Sequence, residues 1–307
     1  MTLYDVPAPA KINLFLHVTG RRPDGYHLLE TVFRFIGLYD TFDFDLRTDG
    51  LIVREGDPVP GLAADDDLVV RAARALQRAT GTRLGAQIRY RKAIPAGGGL
   101  GGGSSDAATV LIALNRLWSC GLDREQLMAL ALPLGADVPV FIFGESAFAR
   151  GIGEELVPVD LPDRAYVIVQ PPETIPTAVI FSSPYLTRDS KPVIMSVFAD
   201  WQKEHAPDNG FFKYGMFGSN VLSSVAQAGF PGVRAAEQCL ASLGVTPRMS
   251  GSGACVFVEF ENISQAVLFK QKIFGKIQHC NAELAAVIRN VWACPGLTEH
   301  PLKSWVN

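Results

Sequence analysis

At 307 residues, 48% of them hydrophobic and 19% charged, the chain is long enough to bury a full core and to divide into two domains. A net charge of −3 lays down no basic footprint for nucleic acid, so an anionic ligand has to be held by local groups, and small molecules are the expected partners. Five cysteines, odd in number and without C-x-x-C spacing, support neither a zinc site nor a disulfide framework and are expected as reduced thiols.

The opening residues, Met1 to Asp5, lack the basic and apolar regions of a signal peptide, which points to a cytoplasmic protein. Residues 8–18 then alternate, with Ile12, Leu14, Leu16 and Val18 on one face and Lys11, Asn13, Phe15 and His17 on the other, the pattern of a half-buried strand. Lys11 and Asn13 point the same way, either as a solvated face or as a pair that contacts one ligand. Gly20 to Gly25 is turn chemistry, and Tyr26 to Phe33 returns as the second strand of a hairpin. Tyr26 and His27 are there as edge residues or as a surface on which a base stacks and hydrogen-bonds. Short strands follow at Asp40 to Leu46 and Leu51 to Arg54, and Asp65-Asp66-Asp67 caps a helix running to Leu76. A strand over Gln87 to Lys92 feeds Pro95.

Pro95, Ala96, Gly97, Gly98, Gly99, Leu100, Gly101, Gly102, Gly103, Ser104 and Ser105 form a glycine-rich loop that enters a helix, Ser105 to Trp118. Such a loop lets the backbone approach a ligand closely and aims unpaired helix N–H groups at it, a ready cradle for phosphate. A dinucleotide fingerprint would want an acidic residue at a strand end about 20 residues on, where Asp123 instead reads as a helix cap. A P-loop would need a lysine before the final serine, and none is present. The helix is apolar over most of its circumference, and Asp106 in its first turn reads as structural. Asp123 caps a helix through Leu130. In the apolar segment Leu127 to Phe143, which Pro133, Asp137 and Pro139 make too broken for a membrane span, Asp137 either caps a helix or sits in a functional cleft.

A strand over Ala147 to Arg150 precedes a domain boundary between Pro158 and Arg164, and Ala165 to Pro171 opens the second domain as a strand. Ile175 to Phe181 suggests a short helix. Residues 190–244 read as helices broken at Pro207 to Gly210 and at Phe230 to Gly232. Arg248 to Phe257 gives a glycine turn and a buried strand in which Cys255 is a core residue. A helix over Ser264 to Lys276 and a strand over Ala285 to Trp292 follow, and 295–307 is expected as a loose tail.

Ala10 to Leu14, Pro95 to Ser105 and Ser250 to Phe257 together resemble the GHMP kinases, the superfamily of galactokinase and the homoserine, mevalonate and phosphomevalonate kinases. The tripled glycines and Asp24-Gly25-Tyr26-His27 resemble the branch that acts on a cytidine-diphosphate-linked methylerythritol in the non-mevalonate isoprenoid pathway. The resemblance implies an α+β, two-domain fold, 1–160 and 161–294, with the active site in the cleft between domains. It implies ATP-dependent phosphorylation of the substrate's 2-hydroxyl, with Lys11 and Asp137 catalytic and 95–105 binding ATP. Asn13, Tyr26, His27 and Phe181 would bind substrate. Magnesium is implied beside ATP, without a protein ligand that can be named, Ser104 and Ser105 both being open. The chain departs from the family at Asp67, where asparagine is usual and an amide donor is lost, and at Val221, where Asn-Asp often stands for Asn220-Val221.

Overall fold

Residues 1–55, 66–193, 195, 197, 198, 200, 216–280 and 287–307 are described by a computed structural model. The alternating stretch lies within β1 (Thr2–Arg21), and the Pro23 to Gly25 turn returns the chain as β2 (His27–Arg47). The strand expected separately at Asp40 to Leu46 is the far half of β2, because burial of every second residue runs on from Ile36 through Leu38, Asp40 and Phe42 to Phe44.

β1 is not half-buried as its alternation suggests. Ile12 and Val18 are fully buried, but so is Phe15 on the supposedly polar side. Register shifts between Pro9 and Ala10 and between Asn13 and Leu16 re-aim the side chains, so β1 feeds several apolar clusters instead of one.

The sheet runs β3 (Ile52–Glu55), β4 (Gly85–Arg91), β2, β10 (Asn290–Leu297), β7 (Ala165–Gln170), β9 (Val256–Phe260), β8 (Arg248–Met249), with β1 also paired to β2, and β5 (Ala147–Arg150) paired to β2 and to β6 (Glu155–Pro158). Among the described strands only β3 and β4 pair in parallel, which makes the fold α+β. One large core draws on residues between Val6 and Ala149, and a second on residues between Ala165 and Val291 together with Leu16 and Val18. β10 joins the two regions, pairing six residues with β7 and only Gly296 and Leu297 with β2.

Helix α1 (Leu68–Thr80) starts where Asp67 accepts a 2.9 Å hydrogen bond from Val69 N, as expected, and stops at Gly81 in the left-handed region. The helix after the glycine loop, α2 (Gly102–Leu117), begins three residues before the expected Ser105, so two of the glycines belong to its first turn. Its side chains from Ser105 to Asn115 are all buried. Asp123 and Gln126 form a reciprocal capping box on α3 (Arg124–Ala131). Further on, Pro231 breaks the chain into helices Ser223–Gly229 and Pro231–Ser242, whereas the expected break at Pro207 to Gly210 lies outside the described residues. The next helix spans Ile263–Cys280.

Two expectations near the end of the chain are corrected. The last strand is Asn290–Leu297 instead of Ala285 to Trp292, since Pro295 and Gly296 are accommodated where β10 passes from one neighbour to the other; residues 285–286 lie outside the described set. Residues 295–307 are no loose tail: Leu302 and Val306 are buried in the first core. Arg124 donates to the carbonyls of Ile142, Phe143, Lys303 and Val306 at 2.6–3.0 Å, tying this segment to helix α4 (Val138–Phe143). His300 beside them is buried against Phe35 and Phe141, and burial, with Arg124 nearby, pushes its imidazole down to about 3. Among the described residues no helix is long and apolar enough to cross a membrane.

Candidate active site

A cleft of about 940 Å³ opens between the glycine loop, the β1–β2 hairpin and the segment around residues 177–182. The glycine loop folds as it does because Gly99 and Gly101 take φ of 71° and 72°, and a Cβ on Gly99 would collide with the Ser250 carbonyl. The turn between β8 and β9 braces the loop: Ala254 N and Cys255 N each donate at 3.1 Å, to Gly97 O and Gly98 O, and Ser250 Oγ donates to Gly99 O at 2.9 Å. Cys255 is buried there, its thiol pushed up to about 12 by burial, consistent with a core residue.

Lys11 and Asp137 meet on the floor of the cleft, Nζ 3.1 Å from Oδ2. Lys11 is almost wholly buried, with Asn13 Oδ1 at 2.7 Å, Gly99 O at 3.4 Å and the Phe33 ring centroid at 5.2 Å. Asp137 occupies the residue before α4 yet makes no side-chain capping bond, and it keeps 35% of its side chain exposed. Of the two readings open for it, cap or cleft, the geometry selects the cleft. Asn13 accepts from Lys11 and donates through Nδ2 to Thr31 Oγ1 at 2.9 Å, so its carbonyl orients the lysine and one of its two N–H groups is committed to Thr31.

At the opposite end Tyr26 is 58% exposed, while His27 is in contact with Phe181, ring centroids 5.1 Å apart and tilted 37°. Phe181 is on the helix Thr177–Ser182, which begins two residues after the expected Ile175 and ends one residue after Phe181, and Thr177 Oγ1 meets Ser252 Oγ at 2.9 Å. Burial, with Arg188 and then Arg21 adding repulsion, lowers the pKa of His27.

Pro95 through Ser104 all line the cleft together with Lys11, Asn13, Tyr26, His27, Asp137 and Phe181. Ser105 does not: its side chain is fully buried outside the cleft lining and its amide donates to Gly101 O at 2.8 Å, because the early start of α2 turns it inward. Asp67 lines the cleft, but both its oxygens are engaged, one by Val69 N and the other by Arg54 Nε at 3.0 Å and the Tyr90 hydroxyl at 3.1 Å.

Three groups escaped sequence reasoning. Lys92 at the rim is ion-paired to both Asp40 and Asp106; Asp106 lines the cleft, and burial, against the pull of Lys92, pushes its carboxyl up. Asn220 donates to Met249 O and Gly251 O at 2.8 and 2.7 Å and so fixes the turn that braces the glycine loop. Arg188 donates through Nε to His27 Nε2 at 3.0 Å. None carries a local signal for these contacts, since Asp106 lies 14 residues from Lys92, Met249 29 from Asn220 and His27 161 from Arg188.

Residues 67–145 match the family model for the GHMP kinases N terminal domain. The chain is 56% identical to the 4-diphosphocytidyl-2-C-methyl-D-erythritol kinase of Bordetella parapertussis, over 100% of this chain and 99% of that one. Among solved structures it is similar to a 4-(cytidine 5'-diphospho)-2C-methyl-D-erythritol kinase, with a TM-score of 0.76 and 32% identity over 96% of this chain and 99% of the other. A homoserine kinase from Cytophaga hutchinsonii, 17% identical with a TM-score of 0.63 over 97% and 95% of the two chains, shares the fold.

Proposed function

The chain belongs to the GHMP kinases, in the branch of the 4-diphosphocytidyl-2-C-methyl-D-erythritol kinases, and from that premise we infer that it transfers the γ-phosphoryl group of ATP to the 2-hydroxyl of that substrate, giving the 2-phosphate and ADP. The observation that carries the reading is the Lys11–Asp137 pair, 3.1 Å apart, between a glycine cradle on one side and the Tyr26–His27–Phe181 cluster on the other. The cradle offers backbone N–H groups and a helix start to the triphosphate, and the aromatic end offers ring faces to the cytosine.

Phosphoryl transfer asks mainly for positioning and charge stabilisation. In the proposed mechanism Asp137 accepts the proton of the 2-hydroxyl as its oxygen bonds to the γ-phosphorus and the bond to the β-phosphate oxygen breaks. Lys11 steadies the charge on the moving phosphoryl group. Asn13 faces the same hydroxyl and acts also through Lys11, whose ammonium it holds at 2.7 Å.

The donors present do not make a dedicated magnesium site. Among the described residues no three His, Cys, Asp or Glu side chains are grouped to hold a metal, and of the carboxylates lining the cleft Asp137 pairs with Lys11, Asp67 with Arg54 and Asp106, through one oxygen, with Lys92. Magnesium would arrive on the nucleotide, held by phosphate oxygens and water. A division of the chain near residue 160 is proposed on the two cores, and a cytoplasmic location on the four free cysteines described.

The test is ADP release from ATP and magnesium with the diphosphocytidyl substrate, beside homoserine and mevalonate. Turnover with the cytidyl compound alone is expected. Binding of ATP with no ADP release from any alcohol would overturn the kinase reading.

A further inference from the structure

His27 sits at the floor of the aromatic end of the cleft with one ring nitrogen already committed. Arg188 Nε donates to its Nε2 at 3.0 Å. The rest of the guanidinium is fixed by three carbonyls: Nη1 donates to Leu186 O at 3.1 Å, and Nη2 to Phe181 O at 3.1 Å and Ser183 O at 2.7 Å. A guanidinium has donors only and does not lose its proton in proteins, so Nε2 has to be the acceptor. A neutral imidazole whose Nε2 accepts carries its proton on Nδ1. Among the described residues no hydrogen bond reaches Nδ1.

We propose that Arg188 is a positioning residue for base recognition: it locks His27 as the neutral Nδ1–H tautomer and, through the Phe181 and Ser183 carbonyls, holds the Phe181 ring against it. The pocket then presents a fixed N–H donor beside an aromatic face, which suits a pyrimidine edge rich in acceptors. The proposal rests on the cytidyl-substrate reading for its consequence, but the tautomer itself is a property of the free protein.

The experiment is therefore run in two arms. In the first, nitrogen-15 NMR of histidine-labelled protein without substrate reads the His27 tautomer, assigned with a His27→Asn control. The Nδ1–H form is expected in the wild type, and a mixture of tautomers in Arg188→Gln. An Nε2–H form in the wild type, or no change in the variant, overturns the proposal. In the second arm, Arg188→Gln is expected to raise KM for the cytidyl substrate at least about tenfold while kcat stays within about threefold. In a His27→Asn background, where a side-chain N–H replaces Nδ1–H without needing a tautomer lock, the KM effect of Arg188→Gln should shrink to less than half its size in kcal/mol terms, as a double-mutant cycle reads it. Equal losses in kcat and KM terms in both backgrounds, with a lowered melting temperature, would mean that Arg188 only holds the segment together, and would overturn the proposal. Wild-type protein that shows the tautomer but turns over no cytidyl substrate sinks the functional reading instead.

Discussion

Replacing Asp137 by asparagine keeps the shape of the side chain and removes both its charge and its capacity to take a proton. Two unit charges 3.1 Å apart, the separation of Lys11 Nζ and Asp137 Oδ2, attract by about 5 kcal/mol at an effective dielectric of 20. Most of that is offset by the desolvation of a lysine that is 4% exposed, and the side-chain carbonyl oxygen of the introduced asparagine can still accept from Lys11. What has no substitute is proton acceptance, worth about 10²- to 10⁴-fold in rate, or roughly 3–5 kcal/mol on the barrier. The expected result of Asp137→Asn is a fall in kcat of at least about 10²-fold, with KM for the cytidyl substrate within about threefold of wild type. ADP release at saturating ATP and magnesium measures both, and thermal melting reports whether the fold is intact. A variant that keeps kcat within tenfold would show that the hydroxyl proton leaves by another route.

Four further outcomes follow from the same geometry. Lys11→Ala leaves Asp137 and Asn13 facing each other without a cation and should cost at least about 10²-fold in kcat, read in the same assay. Phe181→Ala removes one aromatic wall; loss of stacking on a base should raise KM for the cytidyl substrate by about 5- to 100-fold and leave KM for ATP nearly unchanged. Gly99→Ala forces a methyl onto the Ser250 carbonyl at a φ of 71°, so ATP affinity, measured by calorimetry, should fall at least about tenfold. His300, pushed down to about 3, stays neutral in the folded state while the unfolded chain takes up a proton near pH 6.5. Its contribution is whole above that pH and is lost progressively toward pH 3, about 2 kcal/mol of it by pH 5; urea unfolding at pH 7 and pH 5 should show a smaller difference for His300→Asn than for wild type.

Features that announce themselves within a few residues were legible in the sequence. The Asp67 and Asp123 caps, the strand from Ala165, the glycine loop and the Lys11–Asn13 pair each rest on local spacing, and all are where they were expected. Burial on both faces of β1 was not legible, because alternation records a strand's period and says nothing of what covers its second face. Ser105 went astray by the early start of α2, since glycine is a poor predictor of helix and the loop glycines hid the first turn. Arg188 lies 161 residues from His27, and no pattern in the chain links them. Its function is visible only once four acceptors are seen around one guanidinium.

The packing of Leu302 and Val306 into the first core has a consequence for how the protein is made. Arg124 and Val306 are 182 residues apart in the chain, so at about 5–20 residues per second the segment that seals this core emerges roughly 9–36 s after its clamp. During that interval the nascent first half holds the glycine loop, Lys11 and Asp137 while a patch of apolar surface stands open beside α4. A synthesis that stalls before residue 302 yields a chain with every side chain proposed to act in catalysis and an unfinished core, a species for chaperones and proteases to sort.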